Sequence, residues 1–123
     1  PNDQPQFFLP LLPLRQGQQV NITCLSSPSR PASSLVLYKN DETIHDHLQT
    51  IYERDVRTNK NRTKLIHSIS NIDSQWDNAI IRCEQIYISR ENSKKEINEK
   101  LEVLCKLKRQ KKFFSQINKI HHD

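Results

Sequence analysis

The chain has 123 residues, of which 34% are hydrophobic, with three cysteines, no methionine and a single glycine. That length holds one domain of about 100 residues and a tail, and one glycine excludes the Gly-rich phosphate loop and the dinucleotide fingerprint, each of which needs several. The net charge of +5 is local: residues 1–105 carry 13 Lys/Arg and 13 Asp/Glu, whereas 106–123 carry six basic residues and one acidic. The pI of about 9.3 therefore describes the tail and not the domain.

The first element is the apolar run Phe7-Phe-Leu-Pro-Leu-Leu-Pro-Leu14. Two prolines interrupt it and no basic region precedes it, so it reads as an edge strand, where proline is tolerated, and not as a secretory signal. Residues 18–25 read as a second strand. Val20, Ile22 and Cys24 alternate toward one face, and Asn21 and Thr23 toward the other. Residues 26–33, rich in Ser and Pro, read as a loop. Residues 34–39 form a third strand with Leu35 and Leu37 facing in and Val36 and Tyr38 facing out, closed by the turn Asn40-Asp41. Residues 42–62 carry mixed polar strands and loops whose order the pattern does not give. Residues 63–70 and 79–88 follow as strands. In the latter Ala79, Ile81 and Cys83 face in, and Ile80, Arg82, Glu84, Ile86 and Ile88 face out. After the connection Arg90–Lys95, the last strand spans 97–104. Leu101, Val103 and Cys105 share its inner parity, and Leu104 points out. With one glycine, turns must lean on Asn, Asp, Ser and Pro.

Two strands that each aim one cysteine into a common interior are a frame for an inter-sheet disulfide. Around that frame the sequence resembles the immunoglobulin superfamily over roughly residues 8–104. Ser34-Leu-Val-Leu37-Tyr38-Lys39-Asn40-Asp41 is similar to strand C of such domains, and Asp77 and Ala79, six and four residues before Cys83, match the spacing of the family's Asp-x-Gly/Ala-x-Tyr-x-Cys turn. The resemblance implies an all-β fold, an immunoglobulin-like two-sheet Greek-key sandwich over 1–105, with Cys24 on strand B bonded to Cys83 on strand F. Such a bond adds about 4 kcal/mol by constraining the unfolded chain. Two positions depart from the pattern. Leu37 stands where strand C carries its tryptophan, and Ile81 stands at the tyrosine-corner position, two before Cys83. The sole tryptophan, Trp76, is expected to be partly buried at the corner. Residues 106–123 form a basic tail, disordered or helical, expected to add little to stability.

A disulfide implies an oxidising compartment. The sequons Asn21-Ile-Thr23 and Asn61-Arg-Thr63 point the same way, so Asn21 and Asn61 are candidate glycosylation sites and the expected location is extracellular or at the cell surface. Without methionine, residue 1 is not read as a native start, and the chain is expected to be a fragment of a larger cell-surface receptor. No stretch approaches the roughly 18 apolar residues of a membrane span. Cys105 reads as a buried free thiol, with an intermolecular disulfide as the alternative.

Catalysis finds no motif: there is no Gly-x-Ser-x-Gly elbow, and no spacing that assembles Ser, His and Asp. No cofactor is expected. No metal site is expected either, since His45 and His47 stand without a Cys-x-x-Cys or His-x-x-x-His. The outward faces of strands C, F and G carry the functional expectation. Val36, Tyr38, Ile80, Ile86, Ile88 and Leu104 would form an apolar patch around the polar pair Arg82 and Glu84, and a soluble monomer rarely leaves such a patch uncovered. In immunoglobulin-type adhesion receptors this face is a common docking surface. The resemblance, closest in character to the intermediate or constant-like sets of receptors such as nephrin, sidestep and beaten path, implies an adhesion or recognition domain that is not an enzyme. Its partner would be another cell-surface or extracellular protein, a second copy of the chain included, and not nucleic acid. A secreted single-domain immune-type ligand and a purely structural spacer are the alternatives.

Overall fold

The computed structural model describes residues 4–87 and 93–105. In chain order the strands are β1 (Gln6–Phe8), β2 (Leu14–Arg15), β3 (Val20–Leu25), β4 (Ser34–Lys39), β5 (Glu42–Thr43), β6 (Leu48–Asp55), β7 (Lys60–Ile69), β8 (Ile80–Ile86), β9 (Lys94–Lys100) and β10 (Val103–Leu104). They form two four-stranded sheets, β1-β3-β7-β6 and β5-β4-β8-β9, and a short parallel pair, β2 with β10. This is the immunoglobulin-like two-sheet sandwich that the resemblance implies.

The single strand expected over 7–14 is split. Its first part pairs with β3, while Leu14 and Arg15 cross over to lie beside β10. Pro10 and Pro13 fall between the two parts, and the Leu12–Pro13 peptide is cis. Proline cannot donate to a ladder, so the chain leaves the first sheet and pairs with β10 beyond this gap. The unordered stretch 42–62 resolves into β5 and β6. Asn40 and Asp41 both adopt positive φ, 49° and 68°, as the two-residue hairpin between β4 and β5 demands. Asn59 and Asn78 take the left-handed positions at two further bends, φ 58° and 63°. Asparagine tolerates that region and so stands in for the missing glycines.

The inward residues of three strands fill the interior. Val20 and Ile22 of β3, Ile69 of β7 and Ile81 of β8 pack with Leu14, Ile72, Leu101 and Val103. In the middle, Cys24 and Cys83 form the expected disulfide with Cα atoms 6.5 Å apart, packed with Leu37 and Leu65. Leu37, paired with Cys83 across β4 and β8, is 1% exposed, so leucine fills the space beside the disulfide that the family gives to tryptophan. Trp76, in the 3-10 turn Ser74–Trp76, is half-buried as expected and packs against the apolar group, with Lys39 Nζ 4.2 Å from its ring centre. The corner lacks a tyrosine hydroxyl. Instead, Asp77 Oδ1 accepts a 2.9 Å hydrogen bond from the Val103 amide, tying the corner to β10. Cys105 is a buried free thiol.

Candidate recognition face

The outer face of β5-β4-β8-β9 is built by register. Residues directly opposite in an antiparallel pair point the same way, so the pairings place side chains in rows. Ser34, Ile86 and Lys94 form one row, and Val36, Glu84 and Glu96 the next. Tyr38, Arg82 and Asn98 follow, and then Ile80 with Lys100. Alternation thus sends Val36, Tyr38, Ile80, Arg82, Glu84 and Ile86 to one surface, as the sequence reading holds.

The face is not the contiguous apolar patch expected of it. Ile86 and Ile80 are six residues apart on β8, about 20 Å along a strand, with the two charged rows between them. Leu104 does not join them. It lies on β10 beside Arg15, four residues past the row of Lys100. Ile88 falls outside the described residues. Only Ile80, 49% exposed, presents a largely open apolar side chain, whereas Val36, Tyr38 and Ile86 are half-buried. The physical reason is the pleat. Parity decides which face a residue joins, but position along the strand decides what it touches.

The centre is a linked polar group. The Tyr38 hydroxyl donates to Glu84 Oε1 at 2.9 Å, and the Arg82 guanidinium lies over the Tyr38 ring, 4.1 Å from its centre. Arg82 Nη1 donates to Asp41 Oδ1 at 2.6 Å, and its Nε, closed off from solvent, sits 3.6 Å from Glu84 Oε2. The Glu84 carboxylate, accepting the phenol's hydrogen bond, pushes the Tyr38 hydroxyl above its ordinary value, and the hydrogen bond to Asp41 holds the Arg82 guanidinium still more firmly in its charged form. The turn at Asn40-Asp41 is therefore part of the site. Its backbone projects the carboxylate that fixes Arg82, and Arg82 in turn fixes the aromatic ring. Asp41 is 85% exposed at its side chain, so this ion pair adds little stability and acts chiefly by orienting the arginine.

Asn21 lies exposed on β3, and Asn61 lies exposed on β7 opposite Arg54. Thr63, the hydroxyl residue of the second sequon, is buried and donates to the Ser33 carbonyl at 2.6 Å. His45 and His47 are exposed, and among the described residues no group of three or more His, Cys, Asp and Glu could hold a metal ion. Among the same residues no helix is long and apolar enough to cross a membrane.

The sequence reading missed a polar cluster inside the sandwich. Gln85 is fully buried, accepts from the Ser27 amide at 2.8 Å and donates to Ser27 Oγ at 2.6 Å. Ser26 Oγ accepts from the Thr63 amide at 2.8 Å. The signal was available, since Gln85 shares the parity of Ile81 and Cys83.

No protein-family model matches the chain. A curated relative, Cell adhesion molecule 2 of Xenopus tropicalis, is 35% identical over 71 residues, which is 58% of this chain and 16% of the relative. The chain thus spans about a sixth of that protein's length. Among solved structures, the crystal structure of Rst D1-D2 superposes with a TM-score of 0.70 over 83% of this chain and 49% of that one, at 12% identity. The first likeness relates the chain to cell adhesion molecules, and the second shows a shared immunoglobulin-like fold.

Proposed function

We propose that this chain is an extracellular recognition domain of the cell-adhesion type, which binds another protein through the outer face of β4, β8 and β9. The observation that carries the reading is the prearranged group of Tyr38, Arg82, Glu84 and Asp41. An aromatic side chain, held by Glu84 at its hydroxyl and by Arg82, itself fixed by Asp41, over its ring, stands between half-buried Val36 and Ile86 on one side and exposed Ile80 on the other. Rigid aromatic and arginine side chains are the types that dominate interface energetics, because little rotamer freedom is lost when a partner covers them. The rows also carry both signs, Arg82, Lys94 and Lys100 against Asp41, Glu84 and Glu96. Charge of this kind sets register and selects partners more than it adds affinity. A surface with both signs interleaved also suits a second copy of itself. The likeness to Cell adhesion molecule 2 supports this class of function, and the disulfide and the exposed sequons at Asn21 and Asn61 support the location.

The test is the pair Tyr38→Ala and Ile86→Lys, made together and checked for an unchanged melting temperature. Both side chains point away from the core, so the fold is expected to persist. Binding to the partner ectodomain, or cell–cell aggregation, is expected to fall at least tenfold. Binding that survives the pair means that this face is not the site, and the domain is then a spacer whose polar centre serves only to hold its own sheet.

A further inference from the structure

The near neutrality of residues 1–105 hides a segregation of charge. Five of their 13 cations, Arg54, Arg57, Lys60, Arg62 and Lys64, fall within eleven residues that hold a single carboxylate, Asp55. The fold gathers them at one place. These residues form the β6–β7 hairpin, with Asp55 opposite Lys60 and Arg54 opposite Asn61. The loop after β3 brings in a sixth cation: Ser29 bridges to Asn61, and Arg30 Nη2 donates to the Asn59 carbonyl at 2.6 Å. Arg54, Arg57 and Arg62 line one open hollow of about 660 Å³, together with Pro28 and Val56.

The hairpin tip is also braced. Asp55 Oδ2 accepts from the Thr58 hydroxyl at 2.6 Å and from the Thr58 amide at 3.2 Å, and Arg54 donates to the Asn59 side chain. These bonds to Thr58 lead in holding the Asp55 carboxyl below its ordinary value. The one carboxylate is therefore occupied with the turn and with Arg62 Nε at 3.6 Å. Among the described residues Arg57 and Lys60 reach no carboxylate within ion-pair distance. A set of guanidinium forks held around a shallow hollow, with both neighbouring carboxylates already engaged, Asp55 as described and Glu53 with Lys64 Nζ at 2.7 Å, matches a run of oxyanions better than a hydrophobic ligand. Val56, 93% exposed at the lip, leaves the hollow open to an extended chain rather than closing it over a small molecule.

We propose that the β6–β7 hairpin, with Arg30, is a binding site for a sulfated polysaccharide. The extracellular reading supplies the source of the polyanion, since sulfated glycans are the abundant polyanions outside cells. The site itself is separate from the face of β4, β8 and β9, so one can fail while the other stands. It differs also from the basic tail, which lies outside the described residues. The sequon at Asn61 sits beside Arg54, so a glycan attached there would share the space.

The experiment uses the full chain, parent and Asn61→Gln, and measures affinity for a heparin oligosaccharide across a salt series. Unsulfated heparosan and phosphatidylserine vesicles serve as the other probes. Arg57→Glu, which removes no hydrogen bond of the hairpin, and the pair Arg54→Glu and Arg57→Glu are compared with Lys111→Glu and Lys112→Glu in the tail. Expected are heparin binding at least in the Asn61→Gln chain, a tenfold or greater loss on the hairpin pair with a shallower salt dependence, and a smaller loss on the tail pair. Partner binding by the recognition face is expected to be unchanged in the hairpin variants. The proposal is overturned by absence of heparin binding in both backgrounds, by equal binding to heparosan, or by a tail-pair loss as large as the hairpin's. It is overturned too if the hairpin variants affect vesicle binding alone.

Discussion

Three strands run through the interior, and each passes from an apolar end to a polar one, with His67 of β7 the one buried polar side chain on the apolar half among the described residues. At one end stand Val20 and Ile22 of β3, Ile69 of β7 and Ile81 of β8, all packed in the apolar group. In the middle stand Cys24, Leu65 and Cys83. At the other end come Ser26, Thr63 and Gln85, all buried and all hydrogen-bonded across or along the sandwich. Burial is equal at the two ends, but the means differ. Hydrophobic packing is non-directional and tolerates exchange of shape if volume is kept. A buried hydrogen-bond network demands every partner and fixes geometry. The polar end is the one that meets the loop of residues 26–33, which has no regular ladder of its own. Side-chain bonds from Gln85 and Thr63 hold that loop in place, whereas the apolar end is closed by short strands that supply their own backbone bonds.

The middle of these strands should be the most sensitive point. Replacing Cys24 and Cys83 together by alanine removes the one disulfide between the two sheets, and should cost about 4 kcal/mol in denaturant unfolding for a loop of this length. A loss under 1 kcal/mol would mean that packing alone joins the sheets. At the apolar end, Ile81→Ala should cost about 3 kcal/mol through lost burial and a residual cavity. At the polar end, Gln85→Leu keeps the volume but deprives the Ser27 amide of its acceptor, and should cost about 2 kcal/mol. If Gln85→Leu proves neutral, the polar end is merely filled, and the contrast between the ends dissolves.

The smallest effect comes from His67, the inward residue of β7 between Leu65 and Ile69. Its Nδ1 donates to the Asp46 carbonyl at 3.0 Å, and burial pushes its imidazole below the ordinary value of 6.5. The folded state therefore prefers the neutral ring, while the unfolded chain takes up a proton at about pH 6.5. Stability should be full above that pH and decline as pH falls through it toward the lower folded value. A melting temperature followed from pH 7.5 to 5 should show the decline in the parent and a shallower one in His67→Gln.

Much of this architecture was legible in the residues. The strands carrying Cys24, Leu37 and Cys83 alternate cleanly, and the turn at Asn40-Asp41 announces itself by composition. What was hidden had physical reasons. Strand β6 is solvated on most of its side chains, so its pattern carries no buried stripe to read. The split before β3 follows from two prolines whose effect is on partner choice, which no local pattern states. Gln85 and Thr63 were hidden by their polarity although their parity was right. The recognition face shows the converse. Parity places Val36, Tyr38, Ile80, Arg82, Glu84 and Ile86 on one surface, as the pairing does, but the strand register separates Ile80 from Ile86 and removes Leu104 to the vicinity of Arg15.

Cys105 carries a consequence for how the chain matures. Three thiols can close three different loops, of which the fold uses the one between residues 24 and 83. In an unfolded chain the span from Cys83 to Cys105 is only 22 residues against 59 for the native pair, so the wrong loop closes roughly four times more readily on chain entropy alone. Only folding reverses that preference, by packing Cys105 into the apolar group at 4% exposure, where an oxidant or a second thiol cannot reach it. The order of events then matters. Oxidation that runs ahead of sheet assembly would trap the chain with its last strand tethered to β8, whereas assembly that runs ahead of oxidation leaves a single pair of thiols within reach of each other.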